Sequence, residues 1–232
     1  MCDRKSIVTI DGPSGGGKST VSRALAARLG FTYLDTGAMY RAVAYTCQQQ
    51  GVDPLNPVQL EPLLASIRIE LLPPAAGEDD VRVIVNGRDV GSSLRTPEMG
   101  MLASKVSAQP LVRNILTVLQ QQIGAAGQIV AEGRDTGTVV FPEAAWKFFL
   151  DASPEVRTRR RAAQLRSKGE AVDEQQLLAQ IVQRDKDDRE RTIAPLKAAP
   201  DAILIDSTVC PVDVVIGQMY DRVMTTPCSC KK

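Results

Sequence analysis

The stretch with the clearest chemistry lies near the start of the chain, where a short apolar run meets a glycine-rich loop. Residues 12–19 read GPSGGGKS and match the pattern G-x-x-x-x-G-K-[ST]. In such a loop the glycines let backbone N–H groups converge on β- and γ-phosphate oxygens, the lysine adds a cation, and the serine hydroxyl can ligate Mg²⁺. A strand signal precedes the loop and a helical pattern follows it. The sequence therefore predicts a nucleoside triphosphate site, without saying which reaction uses it.

The predicted triphosphate site consists of the loop and the first turn of the helix after it. That helix would point its positive N-terminal end at the same phosphate oxygens. Lys18 is predicted to contact the transferring phosphoryl group, and Ser19 is predicted to bind Mg²⁺. The residues assigned to ATP in this segment are Gly12, Pro13, Ser14, Gly15, Gly16, Gly17, Lys18, Ser19 and Thr20.

The elements that must position this loop follow an alternating pattern. Five short apolar runs, IVTI, FTYLD, QIVAEG, KFFLD and AILID, alternate with helical patterns, which predicts a parallel sheet with crossover helices. Residues 67–90 instead alternate apolar and polar side chains around a proline-rich turn and an Asn-Gly turn, which predicts an antiparallel insertion. The predicted fold is an α/β/α domain with a central five-stranded parallel sheet and a small antiparallel β insertion.

Composition excludes several classes of function. The formal net charge is +1, whereas a nucleic-acid binder of this size is more often strongly basic. No apolar run approaches the ~18 residues that span a membrane, and the N-terminus has no signal-peptide pattern. The chain has no histidine, which removes histidine acid–base chemistry and most zinc sites. We expect no nucleic-acid partner and no membrane partner.

The five cysteines are scattered and odd in number, which argues against a disulfide framework and favours the reducing cytoplasm. Cys228 and Cys230 could bind a soft metal, but no second cysteine pair supports such a site. A solvent-exposed tail is the better interpretation of this segment.

The later loops carry many arginines, which narrows the use of the triphosphate. The chain has no N-K-x-D motif of a switch GTPase, and no convincing second acidic motif of a motor ATPase. A phosphoryl-transfer transition state spreads charge over its oxygens, and several converging cations stabilise it. The pattern favours a kinase with a small phosphorylated acceptor over a regulatory or nucleic-acid-binding ATPase. The arginines in question are Arg41, Arg113, Arg134, Arg157–Arg161, Arg184, Arg189 and Arg191.

Six stretches together resemble the bacterial-type cytidylate kinases, a family of P-loop nucleoside monophosphate kinases. They are IDGPSGGGKST, YLDTGAMYRA, NGRDV with LRTPE, AEGRDTGTVVFP, FLDASPEVRTRRR and RDKDDRERTIAPL, in that order along nearly the whole chain. The resemblance implies a single kinase domain over residues 1–232. Its parts would be a core of 1–66, 96–156 and 169–224, a monophosphate-binding insertion at 67–95, a short lid at 157–168 and a flexible tail at 225–232.

The resemblance also implies a reaction. It is ATP-dependent phosphorylation of CMP and dCMP to CDP and dCDP, with ATP as co-substrate and Mg²⁺ bridging the β- and γ-phosphates. A monomeric, cytoplasmic enzyme is expected. Other small kinases, acting on UMP and CMP, on AMP or on shikimate, are the alternatives within the same class.

Ten residues match the family's positions for the acceptor nucleotide. Ser104, Arg113 and Asp135 would read cytosine, because a carboxylate and a hydroxyl accept hydrogen bonds from N4, whereas the O4 of uracil would be repelled. Arginines suit the phosphate because they form bidentate charge-assisted bonds. The set implied for CMP is Thr36, Tyr40, Arg41, Ser104, Arg113, Arg134, Asp135, Arg184, Asp188 and Arg191, with Arg41, Arg134 and Arg191 on the phosphate and Asp188 on the sugar.

Two of these assignments have simpler alternatives in the sequence. Asp135 could be a helix cap. Arg184, Asp188 and Arg191 are spaced i, i+4 and i+7, so they could also form an ordinary salt-bridged helix surface.

Charge stabilisation of the transferred group is assigned to Lys18, Arg134, Arg160 and Arg191. In the lid, Arg157 and Arg161 are expected to contact ATP, although the three lid arginines cannot be assigned individual roles. Arg159 is expected to face solvent.

Overall fold

The structure, a computed structural model, describes residues 6–78, 80–167 and 169–225. The chain divides into two compact units, one of Met1–Tyr33 with Gly124–Lys232 and one of Leu34–Ile123. The segment predicted as the β insertion belongs to the second unit, which is larger than that insertion. Cys228 and Cys230, in the segment predicted as a solvent-exposed tail, lie outside the described residues.

Strands within the described residues form two sheets. The larger has the order β2-β6-β1-β7-β8, and the smaller has the order β3-β4-β5. The strands are β1 Ile7–Asp11, β2 Thr32–Asp35, β3 Ile69–Leu72, β4 Arg82–Val85, β5 Arg88–Asp89, β6 Ile129–Gly133, β7 Trp146–Asp151 and β8 Ile203–Asp206.

The predicted five-stranded parallel sheet is confirmed. β1 runs parallel to both β6 and β7, with Thr9 opposite Ala131 on one side and Lys147 on the other, and β7 runs parallel to β8. Every residue of β1 and of β6 is buried, as expected for strands covered on both faces. The carboxyl ends of these strands lie at one edge of the sheet, the edge where open α/β sheets bind their ligands.

The small antiparallel sheet is also confirmed. Ile69 of β3 pairs with Val85 of β4, and Val85 pairs in turn with Arg88 of β5. Between β4 and β5, Asn86 and Gly87 have φ angles of 49° and 78°. A two-residue hairpin turn of this type requires positive φ at both central positions, so the Asn-Gly signal in the sequence is explained.

Helices cover the strands of the first unit and make up most of the second. They are α1 Lys18–Leu29, α2 Thr36–Gln50, α3 Pro57–Ser66, α4 Pro97–Ser107, α5 Pro110–Ile123, α6 Pro154–Arg166, α7 Glu174–Glu190 and α8 Val212–Thr225. No helix within the described residues is both long and apolar enough to cross a membrane.

Prolines and polar caps explain where several helices begin. Pro110 begins α5, so the helical segment between Pro97 and Ile123 is divided into α4 and α5. α3 was not predicted, although Asn56 caps it by accepting hydrogen bonds from two of its first N–H groups. The start of α6 has Ser153 as its cap and Pro154 at its first position, a sequence signal typical of a helix N-terminus. The predicted lid segment is, up to Arg166, part of this helix.

The core of the first unit gives the site a rigid base. Buried side chains of β1, β6 and β7 pack with those of α1 and α8 in one apolar cluster. Its members include Val8, Ile10, Val21, Leu25, Val130, Phe148, Leu150, Val215 and Met219. The chain leaves this core at the carboxyl ends of the strands, so the loops there start from fixed positions.

Gly12, the first residue of the loop after β1, allows the loop to pass close to β7. Its φ is 150°, and a Cβ added there would lie 1.9 Å from the carbonyl oxygen of Leu150. We expect Gly12→Ala to lower the free energy of unfolding by more than about 3 kcal/mol, because the obstacle is backbone of a central strand. Urea unfolding would measure this loss.

Gly30 provides the matched control. It is also in the left-handed region, with φ of 69°, but a Cβ there would meet nothing within 4 Å. Gly30→Ala should therefore lower the free energy of unfolding by only about 1–2 kcal/mol. Equal losses in the two variants would contradict this account of the close approach.

Candidate functional site

The loop of residues 12–17, hereafter the P-loop, is held through its carbonyl groups. The Ser14 carbonyl accepts from Arg157 at 3.0 Å, and the Gly16 carbonyl accepts from the hydroxyl of Ser207 at 3.2 Å. In a trans peptide the N–H of the next residue points the opposite way from the carbonyl. The N–H groups of Gly15 and Gly17 therefore face away from these anchors. Gly17 precedes α1 with φ of 88° and no side-chain cap, as an anion-binding helix start requires.

Arg157 lies in a different place from the one predicted for a lid residue. Its side chain is 1% exposed and is ion-paired with Asp185 of α7, while its other donors bind the carbonyls of Ser14 and Ala152. The prediction that Arg157 binds ATP is therefore not supported by its position. Its contacts fit a structural role beneath the P-loop.

The other lid arginines differ in their surroundings. Arg160 donates to the hydroxyl and the carbonyl of Ser207, and its guanidinium lies next to Gly17 of the P-loop. Arg161 donates to Gln164 on its own helix. Arg159 is exposed, as predicted. Of the lid arginines, Arg160 is the one that the structure brings to the P-loop without burying it.

Lys18 is buried and folds back so that its Nζ donates to the carbonyl of Pro13 at 2.6 Å. Burial and the nearby charge of Arg134 lower the pKa of Lys18 to about 7, against the opposing charge of Glu132. The charge of Arg184 acts in the same direction as that of Arg134. The charges of Arg134 and Arg184 thus both act on Lys18, and such a group of cations favours the binding of an anion.

Glu132, the fourth residue of β6, was missed by the sequence analysis. Its carboxylate is 4% exposed and accepts hydrogen bonds from the Ser19 hydroxyl at 2.7 Å and the Tyr33 hydroxyl at 2.5 Å. Its partner Ser19 is 113 positions distant in the chain, so no local sequence pattern connects the two residues.

Ser19 and Glu132 are oxygen donors of the kind that Mg²⁺ prefers. Mg²⁺ is usually held by one or two carboxylates together with substrate phosphates, not by a cage of protein ligands. The described residues contain no group of three or more histidine, cysteine, aspartate or glutamate side chains that could hold a metal. The Ser19 hydroxyl, with the Glu132 carboxylate beside it, fits a magnesium ion that is bound together with a triphosphate.

Asp11, the last residue of β1, was also missed. Its carboxylate accepts from the backbone N–H of Thr136 at 2.8 Å, the Thr136 hydroxyl at 2.7 Å and the N–H of Gly137 at 2.7 Å. Burial raises the pKa of Asp11 to about 6 and the Asp135 carboxylate adds to the rise, while the three hydrogen bonds oppose it. Asp11 thus joins the strand before the P-loop to the turn after Asp135.

Asp188 on α7 is the centre of a cluster of arginines. Arg134 donates to it at 3.0 Å. Although burial acts in the opposite direction, the charges of Arg134, Arg184 and Arg191 hold the pKa of Asp188 below its usual value. Arg184 also donates to the Ser14 hydroxyl at 3.3 Å, so the cluster reaches the P-loop. The alternative of an ordinary salt-bridged helix surface does not fit Asp188, because this residue is only 3% exposed.

Arg191 connects this cluster to Asp135. It donates to the Asp135 carboxylate at 3.2 Å, and both side chains are 7% exposed. The spacing of 184, 188 and 191 predicted one helix face, but Arg191 follows the end of α7 with extended backbone angles. Even so, the structure brings together all five residues that the sequence placed in this unit for CMP: Arg134, Asp135, Arg184, Asp188 and Arg191.

The second unit holds the other predicted CMP residues. The guanidinium of Arg113 lies over the ring of Tyr40, 5.5 Å from its centroid. Arg41 is ion-paired with Asp35 at 2.8 Å, and Asp35 also caps α2. Thr36, the first residue of α2, is buried, and Ser104 on α4 is half-buried. This unit therefore brings Tyr40 and Arg113 together.

Comparison with known proteins decides the family. A sequence model of the cytidylate kinase family matches residues 8–225. The chain belongs to the cytidylate kinase family. The family resemblance inferred from the six sequence stretches is thereby confirmed.

Individual relatives cover most of the chain. This chain is 47% identical to a cytidylate kinase from Fervidobacterium nodosum over 216 residues. The aligned residues make up 93% of this chain and 95% of that protein. It is 45% identical over 217 residues to one from Citrifermentans bemidjiense, covering 94% of this chain and 92% of that protein.

Other family members are longer. A bifunctional pantoate ligase/cytidylate kinase from Synechococcus elongatus is 47% identical over 218 residues, which are 93% of this chain and 41% of that protein. The chain spans 41–45% of the length of five such bifunctional relatives. Among solved structures, a shikimate kinase from Bacteroides thetaiotaomicron has a TM-score of 0.49 and 12% identity, covering 95% of this chain and 98% of its own.

The Arg157–Asp185 pair allows a test of how the P-loop is held in this family member. We expect Asp185→Asn to lower the free energy of unfolding by about 3–5 kcal/mol, because the Arg157 charge stays buried without its partner. Since Arg157 also holds the Ser14 carbonyl, the variant should bind ATP more weakly. Urea unfolding and a titration with ATP would measure both effects.

An exposed ion pair elsewhere in the same unit supplies the control. Arg166 and Glu174 lie 2.7 Å apart with side chains 53% and 43% exposed. Glu174→Gln should lower the free energy of unfolding by less than about 1 kcal/mol and leave ATP binding unchanged. Similar small losses in both variants would refute a supporting role for Arg157.

Proposed function

We propose that the chain transfers the γ-phosphoryl group of ATP to the phosphate of CMP or dCMP, forming ADP and CDP or dCDP. The observation that carries this proposal is the cluster of Arg134, Arg184 and Arg191 around the buried Asp188, next to Lys18 and the P-loop. A P-loop alone accounts for one triphosphate. A second group of arginines, paired with carboxylates that can read a nucleoside, supports a second substrate that carries a phosphate.

The proposed chemistry needs positioning and charge neutralisation. The acceptor is an anionic phosphate oxygen, so no general base is required of the protein. Lys18 would contact the transferred group, and the arginines at 134, 160 and 191 would share the charge on its oxygens. The raised cationic density at Lys18 supports this role, since an arriving triphosphate would relieve the repulsion between Lys18 and Arg134.

Magnesium fits the same site through Ser19 and Glu132. When bound, Mg²⁺ would neutralise part of the charge of the triphosphate. The Ser19 hydroxyl would be its protein ligand. Glu132, which already accepts a hydrogen bond from Ser19, would orient that hydroxyl.

Recognition of cytosine is assigned to Asp135, together with Ser104 and Arg113 of the second unit. A carboxylate accepts hydrogen bonds from the amino group of cytosine and repels the O4 of uracil, and a site built in this way discriminates strongly. The helix-cap alternative for Asp135 is weakened, because its side chain makes no cap hydrogen bond.

The remaining assignments follow the family. Arg41, Arg134 and Arg191 would bind the acceptor phosphate, Asp188 would bind the sugar hydroxyls, and Thr36 and Tyr40 would line the acceptor region. Residues 67–95 would bind the monophosphate, and the segment from 157 to 168 would close over ATP. That the chain acts as a monomer in the cytoplasm stays a prediction.

A panel of acceptors tests the proposed reaction. Initial rates would be measured with ATP and Mg²⁺ and with CMP, dCMP, UMP, AMP or shikimate, and the products would be identified by chromatography. We expect CDP and dCDP as the main products. A clear preference for UMP, AMP or shikimate would refute the cytidylate assignment. ATP hydrolysis stimulated by nucleic acid, without a phosphorylated nucleotide product, would indicate an ATPase instead.

Asp135→Ala tests the assignment of the base-reading residue. We expect kcat/KM for CMP to fall by about 100-fold or more, since the cytosine amino group loses a buried acceptor, with ATP binding changed by less than about threefold. Asp187→Ala, at an exposed position of α7, is the control and should leave kcat/KM for CMP unchanged. Equal losses in CMP turnover and ATP binding would mean that Asp135 is structural.

A further inference from the structure

The turn that follows Asp135 begins in an unusual way. Residues Thr136–Val140 form one wide helical turn, and Asp135 occupies its N-cap position. The first N–H groups of a helical turn have no partner within it, and an aspartate at the N-cap normally accepts from the second or third of them. The Asp135 side chain makes no such bond. The turn therefore has an aspartate at its N-cap position, but the side chain of that aspartate does not cap it.

Asp11 takes over this capping from a different strand. Its carboxylate accepts from the first two N–H groups of the turn, those of Thr136 and Gly137, and from the Thr136 hydroxyl. Both carboxylate oxygens are used, since Oδ1 accepts from Thr136 and Oδ2 accepts from Gly137. The Gly137 N–H is one of the two groups that the Asp135 side chain would otherwise accept from, and the other, that of Thr138, donates to the Asp135 carbonyl at 3.3 Å.

The turn packs directly against β1, and this close packing allows Asp11 to cap it in place of Asp135. A Cβ added to Gly137 would lie 2.8 Å from the Thr9 hydroxyl oxygen and 3.4 Å from the Asp11 carboxylate. Glycine at this position lets the backbone approach the strand closely enough for the Asp11 carboxylate to reach two consecutive N–H groups.

The Asp135 carboxylate is left for other partners. It lies in a buried position and accepts from Arg191, an arginine assigned to the acceptor phosphate. If the Asp135 carboxylate capped its own turn, one of its oxygens would accept a hydrogen bond from a backbone N–H. With Asp11 in place, Asp135 keeps its carboxylate directed to side chains.

We propose that Asp11 is a positioning residue for nucleobase recognition, because it caps the turn after Asp135 and so keeps the Asp135 carboxylate available to the acceptor base. The inference rests on the proposed function, in which Asp135 reads cytosine. Asp11 itself touches neither substrate in this account. Its effect on the reaction passes through Asp135.

Asp11→Asn tests this role with little change in side-chain shape. An amide offers one oxygen, so either the Gly137 N–H or the Thr136 donors would face an NH₂ group and lose their acceptor. We expect kcat/KM for CMP, and the ratio of kcat/KM for CMP to that for UMP, each to fall by about tenfold or more. KM for ATP should change by less than about threefold.

Two substitutions at Thr136 provide a graded test if Asp11→Asn does not fold. Thr136→Val removes only the hydroxyl donor, and we expect it to lower the CMP-to-UMP ratio by about threefold to tenfold. Thr136→Ser keeps the hydroxyl and should leave the ratio within about twofold of the parent protein. A purely structural role for Asp11 would leave the ratio unchanged in all folded variants, whatever the change in overall rate, and that result would overturn the proposal.

The crystal structure of Asp11→Asn, or of Thr136→Val if the former does not fold, separates this inference from the proposed function. We expect the Asp135 carboxylate to turn toward the N–H of Gly137 or Thr138. If the Asp135 carboxylate still accepts from Arg191 and the turn has not moved, the proposal that Asp11 caps the turn in place of Asp135 is overturned. Failure of the proposed function would appear elsewhere, as absence of CMP turnover by the unaltered protein.

Discussion

A buried carboxylate, that of Asp11, joins the strand that leads into the P-loop to the turn that follows Asp135. Its three hydrogen bonds connect β1 to the turn that follows β6, and their donors, Thr136 and Gly137, are 125 and 126 positions distant from Asp11 in the chain. Burying a carboxylate is unfavourable unless donors surround it, so these bonds also fix the turn that supplies the donors. Asp11 directly precedes the P-loop, and its partner Thr136 directly follows Arg134 and Asp135. The same hydrogen bonds therefore support both the ATP-binding loop and the residues proposed to bind the acceptor.

Charges of opposite sign are balanced within the rest of the site. Arg134 is paired with Asp188, and Arg191 is paired with Asp135. Under the proposed function, each pair joins an arginine that would bind the acceptor phosphate to a carboxylate that would bind the nucleoside. A bound nucleotide would bring a phosphate for the arginines and hydrogen-bond donors for the carboxylates, so no charge would be left buried without a partner. The Arg157 guanidinium, by contrast, is bound entirely by protein groups, which are the Asp185 carboxylate and two backbone carbonyls, and this marks it as support for the P-loop.

Much of this could be predicted from sequence because the signals were local. The P-loop, the parallel strands, the Asn-Gly hairpin and the Ser-Pro start of α6 each depend on neighbouring residues. Glu132 and Asp11 could not be found in this way, since their partners Ser19 and Thr136 are 113 and 125 positions distant in the chain. The contacts of Arg157 could not be predicted for a related reason, since its partner Asp185 is 28 positions distant and belongs to another helix. The family resemblance supplied the residues that bind the acceptor, whereas only the structure revealed what holds them.

The most direct test of the central claim is a crystal structure of the full chain with CMP and a non-hydrolysable ATP analogue. The account predicts an Asp135 carboxylate oxygen within about 3.2 Å of the cytosine amino nitrogen, and Lys18 Nζ in hydrogen-bond contact with the γ-phosphate. Asp11 would remain bound to the Thr136 and Gly137 N–H groups. A cytosine ring bound away from Asp135, or an Asp135 carboxylate folded onto its own turn in the presence of CMP, would contradict the account.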